Sequence, residues 1–213
     1  APIDSPKVRR ILQSLQNKVD VENQAIRQDV LKYDLVVHIQ RETIYAWRRT
    51  LVTGEAYDTL EVIRDVVEDL IGRSSNRESL AMALQAHFHA PFELSDQDHG
   101  ELTTEVMDRA LALLAEREQA VGAESLHEMG RLILLQAVDD LWTEHLSNLE
   151  CVEEGIGLHG YGGVDPVIEW GKEASHLWHE TLRLIRSRAV TLWFLVGAQG
   201  VDGDTSLRDR PNE

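Results

Sequence analysis

From Val8 to Thr53 the chain contains neither glycine nor proline. Such a run has no local reason to leave a helix once one has started, because those two residues are the strongest helix breakers. Ser5-Pro6 supplies a start signal and Thr53-Gly54 a stop. Val8, Leu12, Leu15, Val19 and Ile26 form one apolar seam, continued by Val30, Tyr33, Val37, Ile44, Trp47 and Leu51. The seam gains one extra step between Ile26 and Val30, as an undistorted helix requires and a strict coiled coil does not. At 1.5 Å per residue this helix spans roughly 65–70 Å, twice a small domain. It is predicted to act as a strut with other elements packed along it.

A second constraint lies between Arg131 and Phe194, where two helix-forming runs flank a glycine-rich turn, Gly155 to Pro166. Leu134, Val138, Leu141, His145 and Leu149 share one face of the upstream run. Trp170, Leu177, Thr181, Leu184, Ile185 and Leu192 share one face of the downstream run. Asp165-Pro166 restarts the second helix, as an N-cap followed by a proline that loses no needed N–H. The spacing predicts an antiparallel hairpin whose tip presents Leu158, His159 and Tyr161.

Between these parts, Glu55 to Ala120 reads as a compact helical insertion. Tyr57, Leu60, Ile63, Val67 and Leu70-Ile71 give one amphipathic helix ended by Gly72, and Ser74-Ser75-Asn76 a turn or cap. Leu80, Met82-Ala83-Leu84 and Ala86 give a short second helix, and Pro91 with Ser95 to Gly100 an irregular connection. A further helix starts near Glu101-Leu102 and is expected to run past Gly122 into the hairpin arm. No alternating β-branched pattern occurs, so the class is all-α.

Composition narrows the functions. A formal charge of −16 argues against a nucleic-acid binder, since phosphate neutralisation needs a basic surface, and against broad attachment to anionic lipid. The single cysteine, Cys151, forms no intramolecular disulfide and suits a reducing compartment. No charged-then-apolar leader opens these residues and no apolar run approaches bilayer length, which makes the cytosol the expectation. Neither a GxxxxGK[ST] phosphate loop nor a GxSxG elbow occurs, so no catalytic residue is nominated and no cofactor is assigned to this segment. His87, His89 and nearby His99 invite a metal reading, but histidines at i, i+2 leave a helix on different faces and no cysteine or carboxylate pattern completes a site. They are placed at a helix end or in a loop. The pairs Asp139-Asp140 and Glu153-Glu154 diverge along a helix and make poor acid–base pairs.

Several of these residues carry a family resemblance. Leu135-Gln136, Asp139 and Leu141-Trp142-Thr143-Glu144-His145-Leu146 closely resemble the LQ..D.LW.EHL segment of SecA, the bacterial preprotein translocase motor. Gly155-Ile156, Leu158, Gly160-Tyr161 and Asp165-Pro166 resemble the tip of its two-helix finger. Pro2 to Pro6, Gln16, Lys18-Val19, Asn23, Ile26-Arg27, Leu31, Tyr33-Asp34, Gln40-Arg41 and Ile44-Tyr45 follow the family's order in the long central scaffold helix. The match runs from Pro2 to about Phe194. Departures are Gln24-Ala25 in place of Phe-Asp, a lone Asp34 in place of paired aspartates, His159 in place of a cation and Val164 in place of a basic residue. Those at the tip would weaken channel contacts that rely on fixed positive charge, leaving open a main or an accessory export role.

The resemblance implies a long scaffold helix at 1–53, a wing-like insertion at 54–120, and scaffold continuation with an antiparallel two-helix finger at 121–196, while the polar composition of 197–213, with Gly200, Gly203 and Pro211, predicts a disordered tail. It implies that Leu158, His159, Gly160, Tyr161 and Gly162 touch polypeptide and the SecY channel complex. Lys18 and Arg27 would meet the nucleotide-binding motor domains of the same or another chain; alternatively they are exposed cations paired with Asp20, Glu22 or Asp29. ATP and Mg2+ belong to the full-length family, whose partners are SecY and unfolded preproteins, and whose place is the bacterial cytoplasm, peripherally on the inner membrane. The competing classes are an acidic helical adaptor and a non-hydrolysing regulator of the same machinery.

Overall fold

The computed structural model describes residues 6–54, 57–96, 98–159 and 165–205. Among them lie six helices and no strand: α1 (Pro6–Thr53), α2 (Thr59–Arg73), α3 (Arg77–Phe88), α4 (His99–Val121), α5 (Ala123–His159) and α6 (Pro166–Thr205). The fold is all-α.

Helix ends follow local chemistry. α1 stops at Gly54, whose φ of +72° is open to glycine at little cost. Asp58 caps α2 by accepting from the N–H groups of Leu60 and Glu61. Asn76 and Ser79 close a reciprocal capping box on α3. Asp98 caps α4. Four boundaries differ from expectation, the first being that α5 runs on through Gly155 and Gly157 to His159, into the stretch expected to be a turn, because an established helix propagates past isolated glycines. α2 passes through Gly72 and ends at Arg73, because one glycine near a helix end costs too little to stop it. The helix expected to run past Gly122 breaks there instead: Gly122 adopts φ +92°, and α5 starts afresh at Ala123. At the other end the stretch expected to be a disordered tail from Gly197 is helical as far as Thr205, because α6 propagates at small cost from an established helix.

The contacts gather into two compact units, Ala1–Thr43 with Leu149–His176, and Ile44–Asn148 with Leu177–Glu213. In the first, the Tyr33 ring meets Trp170 edge-on at 4.9 Å, and buried Gln40 donates through Nε2 to the Ala174 carbonyl at 3.3 Å. The early seam of α1 is left bare: Leu12, Leu15, Val19 and Val30 are each more than half exposed. The apolar seam expected to carry packed elements is covered by no described element there. Leu31, Leu35 and Ile39 are exposed as well.

The second unit holds two cores. One joins α2, α3 and α4 to the beginning of α5 and the end of α6, around Ile63, Val67, Leu84, Phe88, Val106, Leu113, Leu126 and Phe194. Burying each such side chain fully contributes roughly 1.5–3 kcal/mol. The other joins the end of α1 to α5 and α6, around Ile44, Leu51, Leu134, Val138, Trp142 and Ile185. Within this unit α5 and α6 run antiparallel, since Leu126 meets Trp193, Asp140 meets Arg188 and His145 meets Thr181. Of the expected α6 face, Thr181 and Ile185 are buried, whereas Leu184 is 36 % exposed. One residue along a helix turns the side chain by about 100°, enough to carry Leu184 off the face that Ile185 occupies.

Candidate coupling and polypeptide-contact site

The run Leu135–Leu146 on α5 is a junction. Asp139 and Asp140 diverge as their adjacency requires: Asp139 receives Arg48 of α1 through Nε and Nη2, at 2.8 and 3.3 Å, while Asp140 pairs with Arg188 of α6 at 3.1 Å. Gln136 also donates to Asp140, at 2.6 Å. One helical step thus sends adjacent carboxylates to two different helices. Nearby, Arg131 donates to the carbonyl of Leu51 in the last turn of α1, and its other edge binds Glu128. A cation on these carbonyls suits the negative end of the α1 dipole.

Behind the acids sits an aromatic layer. His145 is 1 % exposed and packs against both Trp142, stacked at 5.5 Å, and Trp178 at 5.7 Å, two rings that also meet each other edge-on at 6.4 Å. Burial holds its pKa below the ordinary histidine value. Thr181 Oγ1 donates to the Leu177 carbonyl at 2.8 Å, so its lone pair accepts from His145 Nδ1–H at 2.9 Å, which fixes the tautomer of the neutral ring.

A charged seam joins α2 to α6. Asp65 binds Arg186 at 2.9 Å, and Arg186 in turn lies over the Trp47 ring at 5.8 Å. Asp69 binds Arg183 at 3.7 Å, and Glu180 binds both Arg183 and Arg73. Hydrogen bonding to Arg183 brings the Glu180 carboxyl down to about 2.

The sequence-nominated positions are distributed differently. Lys18 and Arg27 stand exposed on α1, and neither is ion-paired to a described side chain. Leu158 and His159 close α5 as backbone, and Gly160, Tyr161 and Gly162 lie outside the described residues. Lys18 and Arg27 therefore stand apart from any described carboxylate. Arg48, Arg131, Arg183 and Thr181 instead hold separate contacts between helices, and the sequence did not single them out for that role. Their only signal was an arginine or threonine at a helical step from an apolar face.

The metal and nucleotide readings can be tested on donors. His87 engages Ala83 O through Nδ1 and Ser187 Oγ through Nε2, both at 2.8 Å; His89 engages Thr191 O. These rings tie α3 to α6, with His89 the left-handed cap of α3 at φ 51°. Among the described residues no group of three or more metal-ligating side chains gathers. Four helix N-termini are closed to a nucleotide's phosphates. Phosphates favour free helix N-termini, but Asp58, Asn76, Asp98 and Asp165 already cap α2, α3, α4 and α6. Among the described residues no helix is long and apolar enough to cross a membrane.

An all-helical scaffold, in which an antiparallel helix pair packs on the end of a long helix and on a three-helix lobe, is the class of protein this geometry defines. Residues 2–197 match the family model for the SecA wing and scaffold domain. The chain is 35% identical to the protein translocase subunit SecA of Desulforamulus reducens, over 92% of this chain and 24% of that protein. It is 33% identical to the SecA subunit of Symbiobacterium thermophilum, over 91% and 24%, and 31% identical to that of Thermodesulfovibrio yellowstonii, over 92% and 23%. The chain belongs to the SecA wing and scaffold domain family, and spans about a quarter of the length of these relatives.

Proposed function

We propose that these residues are the scaffold and wing of a SecA-type export motor, carrying ATP-driven motion from nucleotide-binding domains to a preprotein in the SecY channel. Lys18 and Arg27 receive that motion at the motor domains. Leu158, His159, Gly160, Tyr161 and Gly162 form the finger tip that touches polypeptide and channel. Such a motor works from the bacterial cytoplasm at the inner-membrane surface, with ATP and Mg2+ bound by domains beyond these residues. The observation that carries the reading is the family match over residues 2–197, which includes both the long helix and the glycine-rich turn. The antiparallel course of α5 and α6 in the second unit is consistent with a hairpin closing at that turn. A tyrosine suits the tip because a flat ring with one polar end grips varied side chains.

The test is site-specific crosslinking from position 161 in a reconstituted full-length motor, with SecY and a stalled preprotein. Adducts to preprotein or channel are expected, and none when the probe sits near Val8. A complex that assembles and hydrolyses ATP yet gives no adduct from position 161 would remove the tip role from Tyr161.

A further inference from the structure

Beside the Arg48–Asp139 contact the second unit carries an open groove of about 530 Å³ between α1 and α5. Ile44 and Trp142 form its floor, 1 % and 7 % exposed. Its α1 edge alternates apolar and cationic side chains at helical steps: Tyr45, then Arg48 and Arg49, then Val52. Tyr45 and Val52 are each about half exposed, so the apolar edge is uncovered. Among the described residues, Asp139 is the one carboxylate lining the groove. It occupies Nε and Nη2 of Arg48, which orients the guanidinium and leaves Nη1 without a hydrogen bond to any described residue. Arg49 is exposed and forms no ion pair with a described side chain. Two arginines against one aspartate make this a local reversal of sign in a chain whose formal charge is −16.

Tyrosine, tryptophan and arginine in one concave patch are the residue types that dominate binding energy at interfaces. A merely solvated arginine pair needs no half-bare tyrosine and valine one turn to either side. We propose that this groove docks a short acidic segment of a partner protein: carboxylates meet Arg48 Nη1 and Arg49, and one apolar side chain enters between Tyr45 and Val52 onto Trp142. The rest of the surface, carrying the acidic excess, repels such a segment and so confines it to this groove. The inference is independent of the export reading.

The experiment is fluorescence anisotropy of labelled peptides with the full-length chain at low and moderate salt. One peptide places leucines among glutamates; its control has the same leucines among lysines. The glutamate peptide is expected to saturate, to weaken with salt, and to lose about tenfold in affinity in Arg49→Glu and in Tyr45→Ala. Arg49→Lys should retain most of the binding. Both side chains are exposed, so circular dichroism of the variants should match the parent. Equal binding of the two peptides, or unchanged affinity in both variants, overturns the proposal. It is also overturned if the chain self-associates at these concentrations and Tyr45→Ala abolishes that association, since a second copy would then own the groove.

Discussion

Thr181 Oγ1 on α6 lies 2.9 Å from His145 Nδ1 on α5, and gives its own proton to the carbonyl of Leu177. This orders a buried imidazole against two tryptophans, and burial favours its neutral form. The pH consequence has a definite sign. Because the folded pKa is depressed, the unfolded chain binds the proton first as pH falls. The His145 contribution is therefore complete above the ordinary value of about 6.5 and is lost progressively below it, down to the folded pKa. Denaturant titrations from pH 7.5 to 5, followed by tryptophan fluorescence, should show parent stability falling more steeply than that of His145→Gln. Equal slopes would refute the assignment. Thr181→Val should cost about 1–3 kcal/mol at neutral pH by orphaning the Nδ1–H.

Gly130 on α5 gives a steric prediction that opposes helix propensity. A Cβ there would lie 2.6 Å from the Tyr57 hydroxyl and 2.9 Å from the Trp193 ring. Alanine gains about 1 kcal/mol over glycine inside a helix. Overpacking costs about 1–3 kcal/mol, and here both obstacles are anchored: Tyr57 donates to His127 O and Trp193 donates to Leu126 O. Gly130→Ala should thus lower the melting temperature. Adding Tyr57→Phe, which removes the nearest atom, should recover part of the loss.

The ion cluster on α2 and α6 should respond to acid in a lower range of pH than His145. Glu180 is held at about 2, chiefly by its hydrogen bond to Arg183. A depressed carboxylate contributes fully above its unfolded value near 4.5 and loses that contribution as pH falls toward 2. Its side chain is 38% exposed, so solvent screening keeps the effect to about 1 kcal/mol or less. Glu180→Gln should flatten the stability profile between pH 4.5 and 2, and 1 M salt should shrink the difference between the two proteins. A profile unchanged by the substitution would mean the cluster is only a solvated surface.

Much of this architecture was legible because its signals are local. Freedom from glycine and proline extends α1 to Thr53, and Asn76 closes the turn before α3 in the way its side chain allows. The faces of α5 were equally plain, with Leu134, Val138, Leu141, His145 and Leu149 all buried. What periodicity lacks is any knowledge of the covering element. Leu12 and Ile44 belong to the same seam of α1, yet Leu12 is 53% exposed and Ile44 1%. The Arg48–Asp139 contact spans 91 positions of sequence and leaves no pattern at either end. Gly122 was ambiguous for a different reason: a single glycine is tolerated within a helix, as Gly72 and Gly130 are, until its backbone takes positive φ. The tip residues read clearly by resemblance, but Gly160 to Gly162 lie outside the described residues.

Lys18 and Arg27 yield the last prediction. Both are exposed on α1, nine positions apart, and neither is committed to a described carboxylate. Nine residues of helix correspond to two and a half turns, about 13 Å, so the two cations present to different sides and would meet separate groups of a motor domain. If the proposed coupling is right, reversing both charges in the full-length motor, Lys18→Glu with Arg27→Glu, should reduce preprotein transport at least about tenfold. The helix itself should persist, because solvated side chains carry little of its stability. Circular dichroism would confirm this. ATP turnover should continue but lose its stimulation by preprotein, which separates a coupling defect from a nucleotide-binding defect. Transport that proceeds at the parental rate with both charges reversed would assign Lys18 and Arg27 to ordinary solvation.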